Sequence, residues 1–213
     1  MKVVEIFKSI DGEGKRAGMP ATFIRLAFCN LRCSYCDTSY AFDDKCAEDM
    51  TVDEIVHKCI EMDCPSITLT GGEPLIHKDV EILLAELDRN NFDVNVETNG
   101  TIDPSYYHKL KNVWFTIDYK SPSSGCENAM NPEAFKTLRH QDVLKFVVGS
   151  DTDLEAALKA IQEYRPSAQI YFSPVFGYDA KNIVNFLLFN KLNSCKIQLQ
   201  IHKYIWPVDM RGV

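Results

Sequence analysis

The chain predicts an α/β fold built on a mainly parallel sheet. Strand-like and helix-like stretches take turns along most of its 213 residues, the pattern of strands joined by helical crossovers. About six strand–helix units fit, too few for a closed eight-fold barrel of about 250 residues, so an open, partial barrel or a doubly wound sheet remains. Polar residues also close several strands: Thr70, then Glu97-Thr98-Asn99, then Asp118 and Lys120, then Ser173. Ligands of parallel α/β folds lie at that end of the sheet.

The elements follow in order. Ala21–Ala27 is the first strand candidate. In Thr51–Met62, Val52, Ile55, Val56, Cys59 and Ile60 fall at helical spacing, and Thr51 with Glu54 forms a capping box. Cys59 lies on the apolar face and belongs to the core. Ser66–Thr70 is a short strand stopped by Gly71-Gly72, and Lys78–Arg89 is a helix with Val80, Leu83, Leu84 and Leu87 on one face. Phe92–Glu97 alternates as a strand, and Pro104–Leu110 starts a short helix because proline suits a first turn. Val113–Asp118 alternates again, Pro132–Leu138 is a short helix, and Asp142–Gly149 holds an apolar strand. Thr152–Tyr164 is a helix with a capping box expected at Thr152 and Glu155. Ala168–Ser173 is a strand, Asp179–Leu192 a helix and Lys196–Ile201 a last strand, with Phe186 and Phe189 expected in the core.

Composition narrows the function. Hydrophobic residues make 46% and charged residues 25%, an ordinary globular balance that suits one domain over residues 1–213. Lys+Arg 23 against Asp+Glu 30 gives a net charge of −7, which argues against nucleic acid as the main partner. No apolar run approaches the roughly 20 residues of a membrane span. The N-terminus lacks the features of a secretory signal, so a cytoplasmic location with reduced thiols is expected.

Of eight cysteines, Cys46, Cys59, Cys64, Cys126 and Cys195 are scattered, whereas Cys29, Cys33 and Cys36 cluster in the loop after the first strand. The Cys-x3-Cys-x2-Cys spacing can wrap one metal centre. Three thiolates are one short of a closed zinc site, so zinc needs a distant fourth ligand such as Cys46 or a histidine. On a four-iron cluster they leave one iron open to a small molecule. Three unrelated buried thiols are the remaining reading.

With Gly71-Gly72-Glu73-Pro74 at the end of the second strand, the cysteine motif resembles the radical S-adenosylmethionine superfamily. The resemblance covers nearly the whole chain and implies a partial (βα)6 barrel. It also implies one 4Fe–4S cluster on Cys29, Cys33 and Cys36, whose open iron takes the amino and carboxylate groups of S-adenosylmethionine and yields a 5′-deoxyadenosyl radical. The implied cofactor contacts are Tyr35, Asp37, Gly72, Glu73, Asp118, Tyr119, Lys120, Ser173, Pro174, Val175 and Phe176.

Within the superfamily the chain resembles the 7-carboxy-7-deazaguanine synthases. Three segments carry this: Ser9–Gly14 with Gly18, Pro20, Phe23, Ile24 and Arg25; Cys36-Asp37-Thr38; and Asp118–Gly125 with Gln198–Lys203. The resemblance implies substrate contacts from Ile10, Asp11, Gly12, Arg25 and Thr70, and Mg²⁺ on Thr38. It leaves open whether Pro207 or the Val213 carboxylate also meets substrate. The implied reaction contracts the ring of 6-carboxy-5,6,7,8-tetrahydropterin to 7-carboxy-7-deazaguanine with loss of ammonia, in deazapurine and queuosine biosynthesis. A flavodoxin- or ferredoxin-type electron donor and a homodimer are further implications. The alternatives are a glycyl-radical enzyme activase, which shares part of the glycine-rich opening, and a zinc- or cluster-stabilised binding module.

Overall fold

A computed structural model describes residues 1–208 and 210–213. One nine-stranded sheet runs through it, formed by β1 (Lys2–Ile10), β2 (Pro20–Leu26), β3 (Glu48–Asp49), β4 (Ser66–Gly71), β5 (Asp93–Thr98), β6 (Val113–Tyr119), β7 (Val143–Val148), β8 (Gln169–Pro174) and β9 (Lys196–Ile197). The spatial order is β3-β1-β2-β4-β5-β6-β7-β8-β9. From β2 to β9 every neighbour pair is parallel, while β1 pairs antiparallel with both β2 and β3. Strands β2 to β8 supply the six parallel strands of a partial barrel, and its two edges, β3 and β9, do not meet. The helices are α1 (Val52–Glu61), α2 (Val80–Arg89), α3 (Pro132–Lys136), α4 (Asp151–Tyr164), α5 (Ala180–Phe189) and α6 (His202–Ile205).

Period-two alternation sorts the two faces of the sheet. Leu69, Val96, Ile117, Phe146 and Phe172 are fully buried in the core that the helices cover. Their strand neighbours Thr70, Glu97, Asp118, Lys145, Val147 and Ser173 face a cavity instead. Helix α2 adds Val80, Leu83, Leu84 and Leu87, each at most 2% exposed. At about 1.5–3 kcal/mol per buried aliphatic side chain, that stripe is enough to hold the helix against the sheet. The capping box of α1 forms as expected: the Glu54 carboxylate accepts from the Thr51 N–H at 2.8 Å, and the Thr51 hydroxyl accepts from the Glu54 N–H at 3.2 Å.

Four expectations need correction. A strand precedes Ala21, because Lys2–Ile10 forms a hairpin with β2 through a loop too long to carry a two-residue turn signature. The last strand stops at Ile197; beyond it the Gln198 side chain accepts from the Gly14 N–H, and the Ile201 N–H bonds the Gly12 carbonyl. Helix α4 starts at Asp151 with Ser150 as its N-cap, paired with Asp153 rather than Thr152 with Glu155. The fully buried Asp153 carboxylate also accepts from the Ser123 and Gly149 N–H groups, so it joins two loops that an exposed cap would leave apart. Phe189 is 85% exposed. It stands off the face of α5 that carries Ile183, Phe186 and Leu187, which pack against the core.

Candidate active site

The loop after β2 carries Cys29, Cys33 and Cys36 and meets the turn after β4 at close quarters. A Cβ on Gly71, at φ +127°, would lie 2.1 Å from the Leu26 carbonyl oxygen, and one on Gly72 would lie 1.9 Å from that of Phe28. Only glycine lets the two segments touch like this. The contact is sealed by N–H groups of Gly72 and Glu73, which donate to the Leu26 and Phe28 carbonyls at 2.9 and 2.8 Å. Phe28 adopts φ 69°, an uncommon conformation for a bulky residue, at the point where the chain turns into the cysteine loop. A third glycine makes a close approach to a side chain, where a Cβ on Gly12 would meet the His202 ring at 1.9 Å.

Charged side chains fill the barrel mouth in pairs. Lys145, from the middle of β7, lies 2.7 Å from Glu13 and 3.0 Å from Asp118, and Lys120 lies 2.8 Å from the other Asp118 oxygen. Burial opposes the Asp118 charge, but the two lysines hold its carboxyl below the usual range. Burial raises Glu97 above the usual carboxylate range, against the opposing pull of Lys145, and Thr70 donates to it at 2.8 Å. Arg25 donates through Nε to Glu5 at 2.6 Å, and Tyr40 donates to the same Glu5 oxygen at 3.1 Å. Asp11 is buried, paired with Arg16 at 2.8 Å and accepting from Thr68 at 2.7 Å. Thr38 donates to Asp37 at 2.9 Å, and Lys203 donates to the other Asp37 oxygen at 2.8 Å. Burial works against the Asp37 charge, yet Lys203 pulls its carboxyl down to about 2.

One cavity of ≈ 540 Å³ gathers most of the residues singled out in the sequence. The three cysteines, Tyr35, Asp37, Thr38, Gly72, Asp118, Lys120 and Ser173 to Phe176 line it, as do Ile10, Asp11, Gly12, Arg25 and Thr70. Two of the named residues stand apart. Glu73 is completely buried, accepting from the Leu75 N–H at 3.0 Å, the Thr98 hydroxyl at 2.7 Å and the Asn99 N–H at 2.7 Å. Tyr119 packs on Phe135 and Phe146 and donates to Glu127 at 3.1 Å. The cavity wall also includes Glu97, expected at a polar strand end, Glu13, His202 and Lys203 from the segments that carry the resemblance but given no role there, and Tyr40 and Lys145, which sequence reasoning did not single out. Lys145 had a signal: it is the one charge inside the apolar stretch Val143–Val148. Val213 lines the cavity and Pro207 does not. Arg211 stacks on the Tyr40 ring at 3.8 Å.

The donor set fits the groups that the cysteine motif implies. Three thiols from one loop face one cavity, and burial pushes Cys33 up to about 12 and raises Cys36, so iron binding must displace protons. The Tyr35 hydroxyl is buried in the cavity wall with no partner among the described residues, an unfilled hydrogen-bonding position where a bound cofactor can be met. Among those residues, no three histidine, cysteine or carboxylate side chains gather round a single ion-sized point.

Comparison with known proteins defines the class. Residues 23–167 match the family model of the radical SAM superfamily, and the chain belongs to that superfamily, whose members use a 4Fe–4S cluster and S-adenosylmethionine. The crystal structure of QueE from Escherichia coli superposes with a TM-score of 0.76 over 93% of this chain and 92% of that one, at 22% identity, and shares its fold. A 7-carboxy-7-deazaguanine synthase of Clostridium acetobutylicum is 45% identical across all of this chain and 99% of its own length. One from Thermoplasma acidophilum is 33% identical across the whole of both chains. The chain is a member of the 7-carboxy-7-deazaguanine synthase family.

Proposed function

We propose that the chain converts 6-carboxy-5,6,7,8-tetrahydropterin to 7-carboxy-7-deazaguanine with loss of ammonia, in deazapurine biosynthesis. The observation that carries this reading is the single cavity whose wall holds Cys29, Cys33 and Cys36 together with Arg25, Thr38 and Thr70. Cys29, Cys33 and Cys36 would hold the 4Fe–4S cluster, and Gly72 and Tyr35, which line the same cavity, would hold S-adenosylmethionine. When bound, these groups supply the radical that removes hydrogen from C6 of the pterin.

The remaining residues bind and orient. Glu5 anchors Arg25 through Nε, so the terminal nitrogens present a fixed fork to the substrate carboxylate. Asp118 stays ionised between Lys120 and Lys145 and can accept from ribose hydroxyls. Glu97 lines the cavity, held by the hydrogen bond it accepts from the Thr70 hydroxyl, and offers a carboxyl group that can hydrogen-bond the heterocycle. The Thr38 hydroxyl would hold Mg²⁺, which prefers oxygen ligands and retains waters, and the ion would fix the substrate carboxylate. Electrons come from a flavodoxin- or ferredoxin-type protein, and the enzyme works as a homodimer in the cytoplasm.

The test is anaerobic reconstitution followed by addition of reductant, S-adenosylmethionine, Mg²⁺ and the pterin. Mass spectrometry should find a product that has lost ammonia. Formation of 5′-deoxyadenosine with no change in the pterin would overturn the substrate assignment and favour a glycyl-radical activase.

A further inference from the structure

The side chain of Asn99, at the C-terminal end of β5, reaches the cysteine loop. Its Nδ2 lies 3.8 Å from Cys29 Sγ and donates to Asn30 Oδ1 at 2.8 Å. The orientation of the amide is settled by its other end. Asn99 Oδ1 accepts from the Thr101 N–H at 3.1 Å and the Thr101 hydroxyl at 2.7 Å, and a backbone N–H can only donate. The Asn30 amide in turn donates to Thr101 Oγ1 at 2.9 Å. The Asn99 backbone is pinned as well, since its N–H donates to the buried Glu73 carboxylate at 2.7 Å. Asn99 is only 5% exposed, so this donor is held against the sulfur in a site with little water to replace it.

We infer that Asn99 is a positioning residue for the cluster, whose amide donates to the Cys29 sulfur and so sets how readily the cluster takes up an electron. This rests on the reading that Cys29, Cys33 and Cys36 hold the cluster. Hydrogen bonds to cluster sulfurs are one of the terms that tune reduction potential. A donor stabilises the reduced state more, because that state carries more negative charge. Glu73 acquires a role by the same geometry: it fixes the strand end from which Asn99 donates, with no need to touch the cofactor itself.

The experiment is a redox titration of the reconstituted protein followed by electron paramagnetic resonance, without S-adenosylmethionine present. Asn99→Ala should make the cluster about tenfold harder to reduce, a midpoint lower by ~59 mV for a one-electron couple. Thr101→Ala removes the hydroxyl that donates to Asn99 Oδ1 and accepts from Asn30 but keeps the backbone N–H, so it loosens the amide without turning it and should shift the midpoint the same way by less. An Asn99→Ala protein with full iron content and an unmoved midpoint overturns the inference, even if its thermal stability falls. Should that variant fail to retain iron, Asn99→Asp keeps the size of the side chain but has no N–H to donate, and an unmoved midpoint in it overturns the inference equally. The cluster assignment is checked apart from this: Cys29→Ala that still binds four irons would sink that assignment whatever the Asn99 variant does.

Discussion

Replacing Gly72 by alanine puts the contact between the cysteine loop and the β4 turn to a direct test. The added Cβ would sit 1.9 Å from the Phe28 carbonyl oxygen, 2.3 Å from its carbon and 2.9 Å from the Cys29 nitrogen. All three are backbone atoms, so no side chain can rotate away. Ordinary contact begins near 3.4 Å, so the loop or the turn must move by about 1.5 Å. Such a shift breaks the 2.8 Å bond from the Glu73 N–H to the Phe28 carbonyl. Overpacking of this kind costs about 1–3 kcal/mol, and a lost buried hydrogen bond adds about 1 kcal/mol. A total of about 3 kcal/mol lowers Tm by roughly 6–12 °C in a chain of this size. Scanning calorimetry of the apoprotein reads the loss, and iron analysis after reconstitution reads the displaced cysteines. A Gly72→Ala protein with wild-type Tm and full iron content would refute the reasoning.

Other perturbations have equally definite outcomes. Lys145→Met leaves the half-buried Glu13 and Asp118 carboxylates without the ammonium 2.7 and 3.0 Å away, though Asp118 keeps Lys120; it should cost about 1–3 kcal/mol in a urea melt, and no measurable loss would contradict the pairing. Arg25→Lys keeps the charge but loses the planar fork, so KM for the pterin should rise at least tenfold with a smaller change in kcat; an unchanged KM would remove Arg25 from the substrate site. Burial lowers His77 below its ordinary 6.5, and its ring bonds the Ala27 carbonyl at 2.8 Å. Below that value the unfolded chain binds the extra proton more readily than the folded one, so the His77 contribution is complete above about pH 6.5 and fades as pH falls. The urea midpoint should therefore drop less between pH 7 and 5 in His77→Gln than in the wild-type chain, and equal drops would refute this.

Much of the molecule was legible in its sequence because period and punctuation were strong. Helix α1 announces itself with a stripe and a cap, and β5 and β6 alternate cleanly. The cysteine spacing and the paired glycines mark the site, and the structure adds the reason for the glycines: two backbones cross there. What escaped was what depends on long-range partners. Nothing local says that Lys2–Ile10 will pair with β2, or that Asp153 will bridge three backbone N–H groups instead of simply capping a helix. Glu73 looks, by its position, like a ligand for an ammonium group, yet its oxygens are taken by Leu75, Thr98 and Asn99. Lys145, in the middle of its strand, becomes a site residue only when the barrel turns it toward the cavity.

The proposed reaction starts with a radical at C6 of a carboxylated tetrahydropterin bound in this cavity. The most direct measurement supplies that substrate with deuterium at C6 to the reconstituted, reduced enzyme and follows the label by mass spectrometry. Deuterium should enter the 5′-deoxyadenosyl group of S-adenosylmethionine, with many turnovers for each molecule of S-adenosylmethionine consumed. Product formed without any transfer of label to that group would contradict the proposed reaction.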